Sequence, residues 1–214
     1  QEQHPHQYDI HELYCAYLAV IKDYNRAAEQ MSYALDINPS NIDAWVQYIS
    51  LCAQTNDKDL SYNAIERALH YFPSNPSLLY QSGVILSIFN YNDKALSMFN
   101  NALPLVTDNN KLKSDITCSI GDLFYRKELV DSAFTYYEKA IEINPNNLLA
   151  LNNYAYYLAE KGIDLDKAER LSARTISEDP NNDNSLDTYA WILFKKKNYS
   201  MARQYIDLAL KHNQ

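Results

Sequence analysis

Two kinds of residue are scarce in this chain: glycine and, relative to the acids, the basic residues. The 214 residues include three glycines, and none of these belongs to a glycine-rich phosphate loop or to a turn carrying a nucleophilic serine. Lysine and arginine together number 19, against 27 aspartates and glutamates, which gives a net charge of −8. Because binding to nucleic acid depends on clustered lysine and arginine, this balance argues against a nucleic-acid partner.

Cysteine and long apolar runs are scarce as well. The three cysteines, Cys15, Cys52 and Cys118, have neither C-x-x-C spacing nor histidines at metal-ligand distances, so we expect buried free thiols. No apolar run approaches the roughly 18 residues that span a bilayer, and the longest extends from Gly83 to Phe89. The sequence therefore predicts no metal, no cofactor and no membrane insertion by this segment.

What the chain does contain is a periodic unit. Five prolines mark it, and the first two steps between them are both 34 residues: Pro5, Pro39, Pro73, Pro145 and Pro180. Alanines keep the same period at two positions, the first held by Ala27, Ala95, Ala133, Ala168 and Ala202, with Ser61 in the gap, and the second held by Ala34, Ala68, Ala102, Ala140 and Ala209. A fixed period of this length indicates stacked helical repeats.

Each period divides into two apolar patterns at helical spacing with a polar break between them, which predicts one helix hairpin per repeat. Asparagines and aspartates cluster around the prolines, as in Asn144-Pro145-Asn146-Asn147, where they can cap the next helix. Four extra residues lie around Pro104 to Lys113. Since four residues make about one helical turn, we expect Pro104 to end one helix early and the next helix to gain a turn. One extra residue near Gly162 predicts a left-handed glycine cap.

These units resemble the tetratricopeptide repeat, whose pattern is W-x2-L-G-x2-Y, then A-x3-F, then P. The fourth unit matches it with Thr117-x2-Ile120-Gly121-x2-Phe124, Ala133-x3-Tyr137, Ala140 and Pro145. The resemblance implies an all-α, right-handed superhelical solenoid of about six repeats, at residues 8–40, 41–74, 75–109, 110–146, 147–181 and 182–214. Residues 1–7 are expected to be the tail of a preceding repeat, so the chain is interpreted as the repeat region of a larger protein. Its last two repeats resemble the C-terminal repeats of bacterial multi-repeat proteins.

One position in the first helix favours small residues in the last four repeats, while Cys15 and Ile49 depart from it in the first two. Gly83 and Gly121 occupy it in the third and fourth repeats, and Ala155 and Ala190 occupy it in the last two. Glycine costs about 1 kcal/mol in a helix interior, so its recurrence predicts a close approach by another helix. The alanines of the second helices are the expected partners.

Catalytic chemistry has little support in the sequence. His11 and Cys15 lie four residues apart on one helix face, but no oxyanion-stabilising loop follows them, and both occupy positions that should pack on a neighbouring helix. His4, His6 and His11 could bind a stray transition metal, yet the first two lie near a chain end that we expect to fray. We therefore predict that the chain is not an enzyme.

The family resemblance implies a concave groove lined by the first helices, in which a partner peptide binds. The expected groove residues combine rings, carboxylates and amides: Tyr80, Asp122, Tyr125, Asn152, Asn153, Tyr156, Asp187 and Trp191. Aromatic rings supply contact area and asparagine can pair with a peptide backbone. The lysines with which family members hold a chaperone's C-terminal carboxylate are missing, so the expected partner is a protein or peptide of basic or aromatic character.

The leading hypothesis is a protein-interaction module that binds an extended or helical peptide in its groove. One alternative is a structural scaffold that assembles through its repeat ends, either as a homodimer or by packing on neighbouring repeats of the same polypeptide. In support, the last helix leaves an apolar edge around Ile206 and Leu210. Another alternative is the regulatory repeat region of a larger enzyme.

Overall fold

The computed structural model describes residues 5–212, and that range is built from twelve α-helices without a β-strand. Each odd-numbered helix packs on the even-numbered helix that follows it, so the chain is a series of helix hairpins. The hairpins group into two compact units, one ending at Asp108 and the other beginning at Asn109. The prediction of an all-α repeat solenoid is confirmed.

The first unit contains three hairpins. Within it α3 packs on α2, and α5 packs on both α3 and α4, so each first helix contacts the preceding hairpin. Its helices are α1 (Pro5–Val20), α2 (Tyr24–Ile37), α3 (Ile42–Gln54), α4 (Lys58–Tyr71), α5 (Pro76–Ile88) and α6 (Asn92–Ala102).

The second unit repeats this arrangement with three more hairpins. Here α9 packs on α7 and α8, and α11 packs on α9 and α10. Its helices are α7 (Asn110–Arg126), α8 (Val130–Ile143), α9 (Leu148–Lys161), α10 (Leu165–Glu178), α11 (Asp183–Lys195) and α12 (Tyr199–His212).

Asparagine caps every first helix from α3 onward. In each case the side-chain oxygen accepts a hydrogen bond from the backbone N–H three residues later, and the capping residues are Asn41, Asn75, Asn109, Asn147 and Asn182. Such a cap stabilises a helix by about 1 kcal/mol relative to alanine. The clusters of asparagine around the prolines therefore have the capping role that the sequence predicted.

The irregular third repeat also follows its prediction. Helix α6 ends at Ala102, and Pro104 lies in a short 3₁₀ helix, Leu103–Leu105. Helix α7 then has 17 residues, whereas α9 and α11 have 14 and 13. In the fifth repeat, Gly162 ends α9 in the left-handed conformation with φ of 70°.

Pro5 has a different place from the one that the 34-residue period assigns to it. The period puts it at the end of a preceding repeat, but it is the first residue of α1, where its missing N–H breaks no helical hydrogen bond. Residues 5–7 accordingly belong to the first helix. The rest of the expected tail, residues 1–4, lies outside the described residues.

The glycines do mark a close approach, but the partner is a ring rather than an alanine side chain. A Cβ built on Gly83 would lie 2.4 Å from Cε1 of Phe99, and one on Gly121 would lie 3.0 Å from Cε1 of Tyr137 and 3.3 Å from the carbonyl oxygen of Ala133. Phe99 and Tyr137 each follow the recurrent alanine of the second helix by four residues. The small position of the first helix thus accommodates an aromatic side chain of the second.

Candidate functional site

Three of the eight residues expected in the groove meet where α9 packs on the hairpin of α7 and α8. Asp122 of α7 accepts a hydrogen bond from Oη of Tyr137 at 2.5 Å. It also accepts from Nδ2 of Asn153, which lies 3.1 Å from Oδ1 and 3.3 Å from Oδ2 of the carboxylate. The amide of Asn153, expected to pair with a bound peptide, is therefore engaged within the protein.

The environment of Asp122 changes its acidity in two directions. Burial raises the pKa of this carboxyl group, while the hydrogen bonds from Tyr137 and Asn153 lower it, and burial is the larger effect. The same burial, with the charge and the hydrogen bond of Asp122, raises the pKa of Tyr137. Tyr137 consequently stays protonated and donates to the carboxylate.

A stack of tyrosine rings adjoins this carboxylate. Tyr157 of α9 lies between the rings of Tyr137 and Tyr125, with centroids 5.8 and 3.7 Å away and interplanar angles of 23° and 25°. The hydroxyl of Tyr125 donates to Glu160, and its pKa is raised, first by burial and then by that carboxylate. Tyr125, the third expected groove residue in this region, therefore serves the packing between repeats.

Asn152 and Tyr156 lie one helical turn apart on α9. Tyr156 meets Tyr157 edge to face at 5.3 Å and remains 38% exposed, so more than a third of its surface is open to solvent. Oδ1 of Asn152 is buried and has no hydrogen-bond partner among the described residues. A buried polar atom left in this state costs about 1–3 kcal/mol.

Asp187 and Trp191 lie one turn apart on α11, at the edge of a pocket that we name the terminal slot. The slot measures about 370 Å³ between α11 and α12, and its walls are Asp187, Ala190, Trp191, Phe194, Tyr199, Ala202, Arg203 and Ile206. The ring of Trp191 stacks on Phe194 at 5.7 Å, and Nζ of Lys195 lies 4.8 Å from its centroid. Nε1 of Trp191 is buried without a hydrogen-bond partner among the described residues.

Tyr80 belongs to the first unit and is described there by itself. It lies on α5, half-buried, with its ring 5.9 Å from that of Phe99. Its packing on Phe99 supports the same close approach that Gly83 permits.

The cysteines show the expected burial. All three are free thiols with no exposed surface. Burial raises the pKa of Cys15, and the charge of Glu12 adds to the effect, which is the reverse of the activation that a thiolate nucleophile requires. His11, its proposed partner, instead shares a hydrogen bond with Oε1 of Gln30 at 2.8 Å.

Neither a metal-binding cluster nor a membrane-spanning helix occurs within residues 5–212. That range holds no group of three or more histidine, cysteine, aspartate or glutamate side chains that could bind a metal ion. Of the expected histidine group, His4 and the side chain of His6 lie outside the described residues. None of the helices described is both long and apolar enough to cross a bilayer.

The sequence did not single out the residues that join the fourth and fifth repeats. Tyr154 accepts a hydrogen bond from Nζ of Lys167 at 3.0 Å and donates to Oε1 of Glu138 at 2.9 Å, and Lys167 bridges to the same oxygen at 2.6 Å. Tyr137 was visible as the aromatic residue of the A-x3-F pattern. Tyr154, Glu138 and Lys167 carry no such mark, because they come from three different helices and only packing brings them together.

Comparison with protein families and individual proteins agrees with this architecture. The tetratricopeptide repeat matches residues 115–147 and again residues 136–170. Photosystem I assembly protein Ycf3 of Acaryochloris marina is 34% identical over 116 residues, which are 48% of this chain and 69% of that protein.

Two further proteins match different shares of the chain. The uncharacterized protein ycf37 of Pyropia yezoensis is 34% identical over 77 residues, and the match covers 36% of this chain and 43% of the relative, less than half its length. Among solved structures, PilW, a type IV pilus biogenesis factor, superimposes with a TM-score of 0.75 at 18% identity and covers 92% of this chain and 90% of its own. At that identity the structural match shows the fold.

Proposed function

Since the chain belongs to the tetratricopeptide repeat family, whose repeats are protein-interaction modules, we propose that it binds a peptide segment of a protein partner and has no catalytic role. The proposed contact surface is the face of the second unit that carries Asn152, Tyr156, Asp187 and Trp191. Asp122, Tyr125 and Asn153 shape the floor beside it. Tyr80 is proposed as a separate contact of the first unit.

The observation that supports this proposal most directly is the pair of unsatisfied polar atoms on neighbouring helices. Oδ1 of Asn152 on α9 and Nε1 of Trp191 on α11 lack hydrogen-bond partners among the described residues, and α9 and α11 pack on each other. One atom accepts and the other donates, as a peptide group requires from its ligands. A small rotation of either side chain would present it to a bound backbone.

The remaining residues favour a basic or aromatic ligand. Asp187 is exposed and lines the terminal slot together with Phe194. Tyr156 and Phe194 expose 38% and 50% of their surface. Rigid rings beside a carboxylate can hold a lysine or arginine side chain or stack on an aromatic one. The net charge of −8 also favours the approach of a basic segment.

The two tryptophans make the test direct. Trp45 is fully buried, so a change of emission on binding at this surface reports Trp191. Peptides selected from a random display library would be titrated against the protein and its Tyr156→Ala and Asp187→Asn variants. We expect Tyr156→Ala to weaken binding about tenfold or more, as a ring anchor in an interface does, and Asp187→Asn to weaken basic peptides selectively.

Tyr33→Ala supplies the matched control, because Tyr33 is another tyrosine with 45% exposure but lies on a second helix, α2. It should leave the affinity unchanged. Peptides whose affinity is equal for all three variants and the native chain would refute binding at this surface.

A scaffold function is the second candidate, and the names of two similar proteins favour it. Ycf3 is named as an assembly protein and PilW as a biogenesis factor. A chain that brings other subunits together could use the same peptide-binding surface or its repeat ends.

A further inference from the structure

Helix α1 exposes an apolar face, whereas the equivalent face of α9 packs on the hairpin of α7 and α8. Ile10, Leu13, Tyr14, Tyr17 and Val20 expose between 37% and 80% of their surface. They surround a shallow pocket of about 640 Å³ on α1. Solvent exposure of so many large apolar groups on one helix indicates a surface that another element covers.

The repeat pattern shows which residues of α9 are equivalent to the exposed residues of α1. Relative to the small-residue position at Cys15, the exposed residues lie five, two and one positions before it and two and five after it. The same positions on α9, counted from Ala155, are Ala150, Asn153, Tyr154, Tyr157 and Glu160, and all five contact or pack against the hairpin of α7 and α8. Tyr14 and Tyr17 thus stand where Tyr154 and Tyr157 stand in the fifth repeat.

The complementary surface is the terminal slot. Its residues on α11 and α12 correspond to those with which α7 and α8 receive α9: Phe194 occupies the position of Tyr125, and Ile206 that of Tyr137. No helix among residues 5–212 covers these side chains, and Phe194 and Tyr199 expose 50% and 58% of their surface. One end of the chain therefore offers a first-helix face and the other offers a receiving hairpin.

Charged residues at equivalent positions of the repeats also indicate how one repeat joins the next. In the joint of the fourth and fifth repeats, Glu138 bonds to Lys167, which immediately precedes the recurrent alanine of the next repeat, and Tyr154 bonds to both. The same positions in the second and third repeats hold Glu66 and Lys94, and Nζ of Lys94 reaches across to within 4.0 Å of the Tyr62 ring centroid on α4.

Arg26 in the first hairpin and Asp207 in the last correspond to the two charged partners of this joint, Lys167 and Glu138. Arg26 stands at the position of Lys167 and bonds to Tyr14 as Lys167 bonds to Tyr154, but its carboxylate partner is Asp23 of its own hairpin at 3.4 Å. Asp207 stands at the position of Glu138, and its ion-pair partner is Arg203 of its own helix at 3.9 Å. Side chains of Arg26 and Asp207 are 57% and 58% exposed.

We propose that a second copy of this chain occupies these surfaces: α1 of one copy docks in the terminal slot of another, and Asp207 of the slot pairs with Arg26 and Tyr14. The contact is heterologous, because it joins two different surfaces, so copies add head to tail or close into a ring. It reproduces between copies the joint that α9 makes with its preceding hairpin. It goes beyond the proposed peptide binding by bringing in α1, and the slot shares Asp187 and Trp191 with the proposed peptide surface.

Sedimentation velocity of the whole chain over a wide range of concentration, up to millimolar, tests the proposal. The native protein should associate in a concentration-dependent way. The double variant Leu13→Asp, Tyr17→Asp should sediment as a monomer throughout, with unchanged helical circular dichroism because both side chains are exposed. This variant should still bind the selected peptides, which separates its failure from failure of the peptide-binding proposal.

Two further variants test the direction and register of the contact. Phe194→Glu blocks the slot, and a mixture of this variant with the α1 variant should form a one-to-one complex and nothing larger. Arg26→Asp and Asp207→Arg should each weaken association about tenfold through like-charge contact, and the two changes combined in one chain should restore it.

Three results would overturn the proposal. A native chain that stays monomeric at all concentrations would mean that another occupant covers α1, such as a helix hairpin of a different protein. Self-association of the Phe194→Glu variant at native strength would indicate a symmetric contact of α1 with itself. Failure of the combined charge reversal to restore association would contradict the register.

Discussion

At the scale of single residues, the fold depends on how closely a ring in the second helix approaches the first helix. Phe99 and Tyr137 are both buried, with 1% and 0% exposure, and each lies against a glycine. The ring fills the space that a Cβ would take, which explains why glycine occurs there despite its cost of about 1 kcal/mol in a helix. Ala155 and Ala190 hold the same position in repeats whose second helices carry Ser172 and Ile206 instead of a ring.

The two glycines should therefore respond differently to the same substitution. Gly83→Ala places Cβ 2.4 Å from a Phe99 ring that is packed on all sides, so overpacking of about 1–3 kcal/mol should exceed the helical gain of about 1 kcal/mol. At Gly121 the nearest atom is 3.0 Å away, and a small shift of Tyr137 relieves it. We expect Gly83→Ala to lower the free energy of unfolding in urea, and Gly121→Ala to change it little.

The double variant Gly83→Ala, Phe99→Leu provides the control for this comparison, since it removes the ring that the new methyl group meets. It should be no less stable than Phe99→Leu alone. Equal losses for Gly83→Ala and Gly121→Ala would show that helix propensity, and not the ring, determines the choice of glycine.

At the scale of helices, carboxyl groups form hydrogen bonds across the joints between consecutive repeats. Asp122 on α7 is tied to α9 through Asn153, and Glu138 on α8 is tied to the next repeat through Tyr154 and Lys167. The pKa values of these two carboxyl groups are shifted in opposite directions. Burial raises the pKa of Asp122, whereas the hydrogen bonds from Lys167 and Tyr154 lower the pKa of Glu138.

The two carboxyl groups should consequently affect stability in opposite directions with pH. The pKa of Asp122 is higher in the folded chain than its ordinary value of 3.8, so ionisation costs folding free energy as pH rises from that value through the raised one. Asp122→Asn should gain stability relative to the native chain over that rise and keep the gain at neutral pH. The pKa of Glu138 is lowered below 4.5, so its stabilisation is present above that value and is lost as pH falls through the lowered pKa.

Urea unfolding of Asp122→Asn and Glu138→Gln from neutral to acidic pH would measure both effects against the native chain. Glu138→Gln is the opposite-sign control: it should be less stable than the native chain at neutral pH, and the deficit should shrink in acid. An Asp122→Asn variant that loses stability relative to the native chain as pH rises would show that the hydrogen bonds at this carboxylate outweigh its burial.

The same scale shows what the sequence could and could not predict. Helix positions, asparagine caps, the extra turn of α7 and the left-handed Gly162 depend on neighbouring residues, and local pattern was enough to predict them. The hydrogen bond of Asn153 to Asp122 and the stack of Tyr125 on Tyr157 join residues 31 and 32 positions apart in the sequence. Periodicity predicts the face on which such residues lie, but not whether they bind one another or stay free for a ligand.

The left-handed turns illustrate a local feature that the pattern did not reveal. Besides Gly162, residues with positive φ lie in the turns, two residues after the first helices of the other repeats end, namely Lys22, Asn56, Asn90, Glu128 and Lys197. Asparagine tolerates this conformation, but lysine and glutamate adopt it at a cost of about 1 kcal/mol. The turn geometry is imposed by the packing of the two helices rather than by the residue that occupies it.

At the scale of the whole molecule, two compact units of three hairpins each meet in sequence at Asp108 and Asn109. In a repeat protein, stability is approximately the sum of each repeat and its contacts with its nearest neighbours. Damage to one unit should therefore remain largely within it. The position of the tryptophans allows this to be measured, because Trp45 lies in the first unit and Trp191 in the second.

In a Trp191→Phe background, the remaining fluorescence reports the first unit alone. Adding Gly83→Ala, in that unit, should lower the urea midpoint of Trp45 emission. Adding Tyr137→Ala, in the second unit, should cost about 3–5 kcal/mol there because a fully buried ring is removed, yet leave the Trp45 midpoint nearly unchanged while helical circular dichroism is lost earlier. If both substitutions lowered the Trp45 midpoint to the same extent, the two units would unfold as one cooperative body, and nearest-neighbour additivity would not describe this chain.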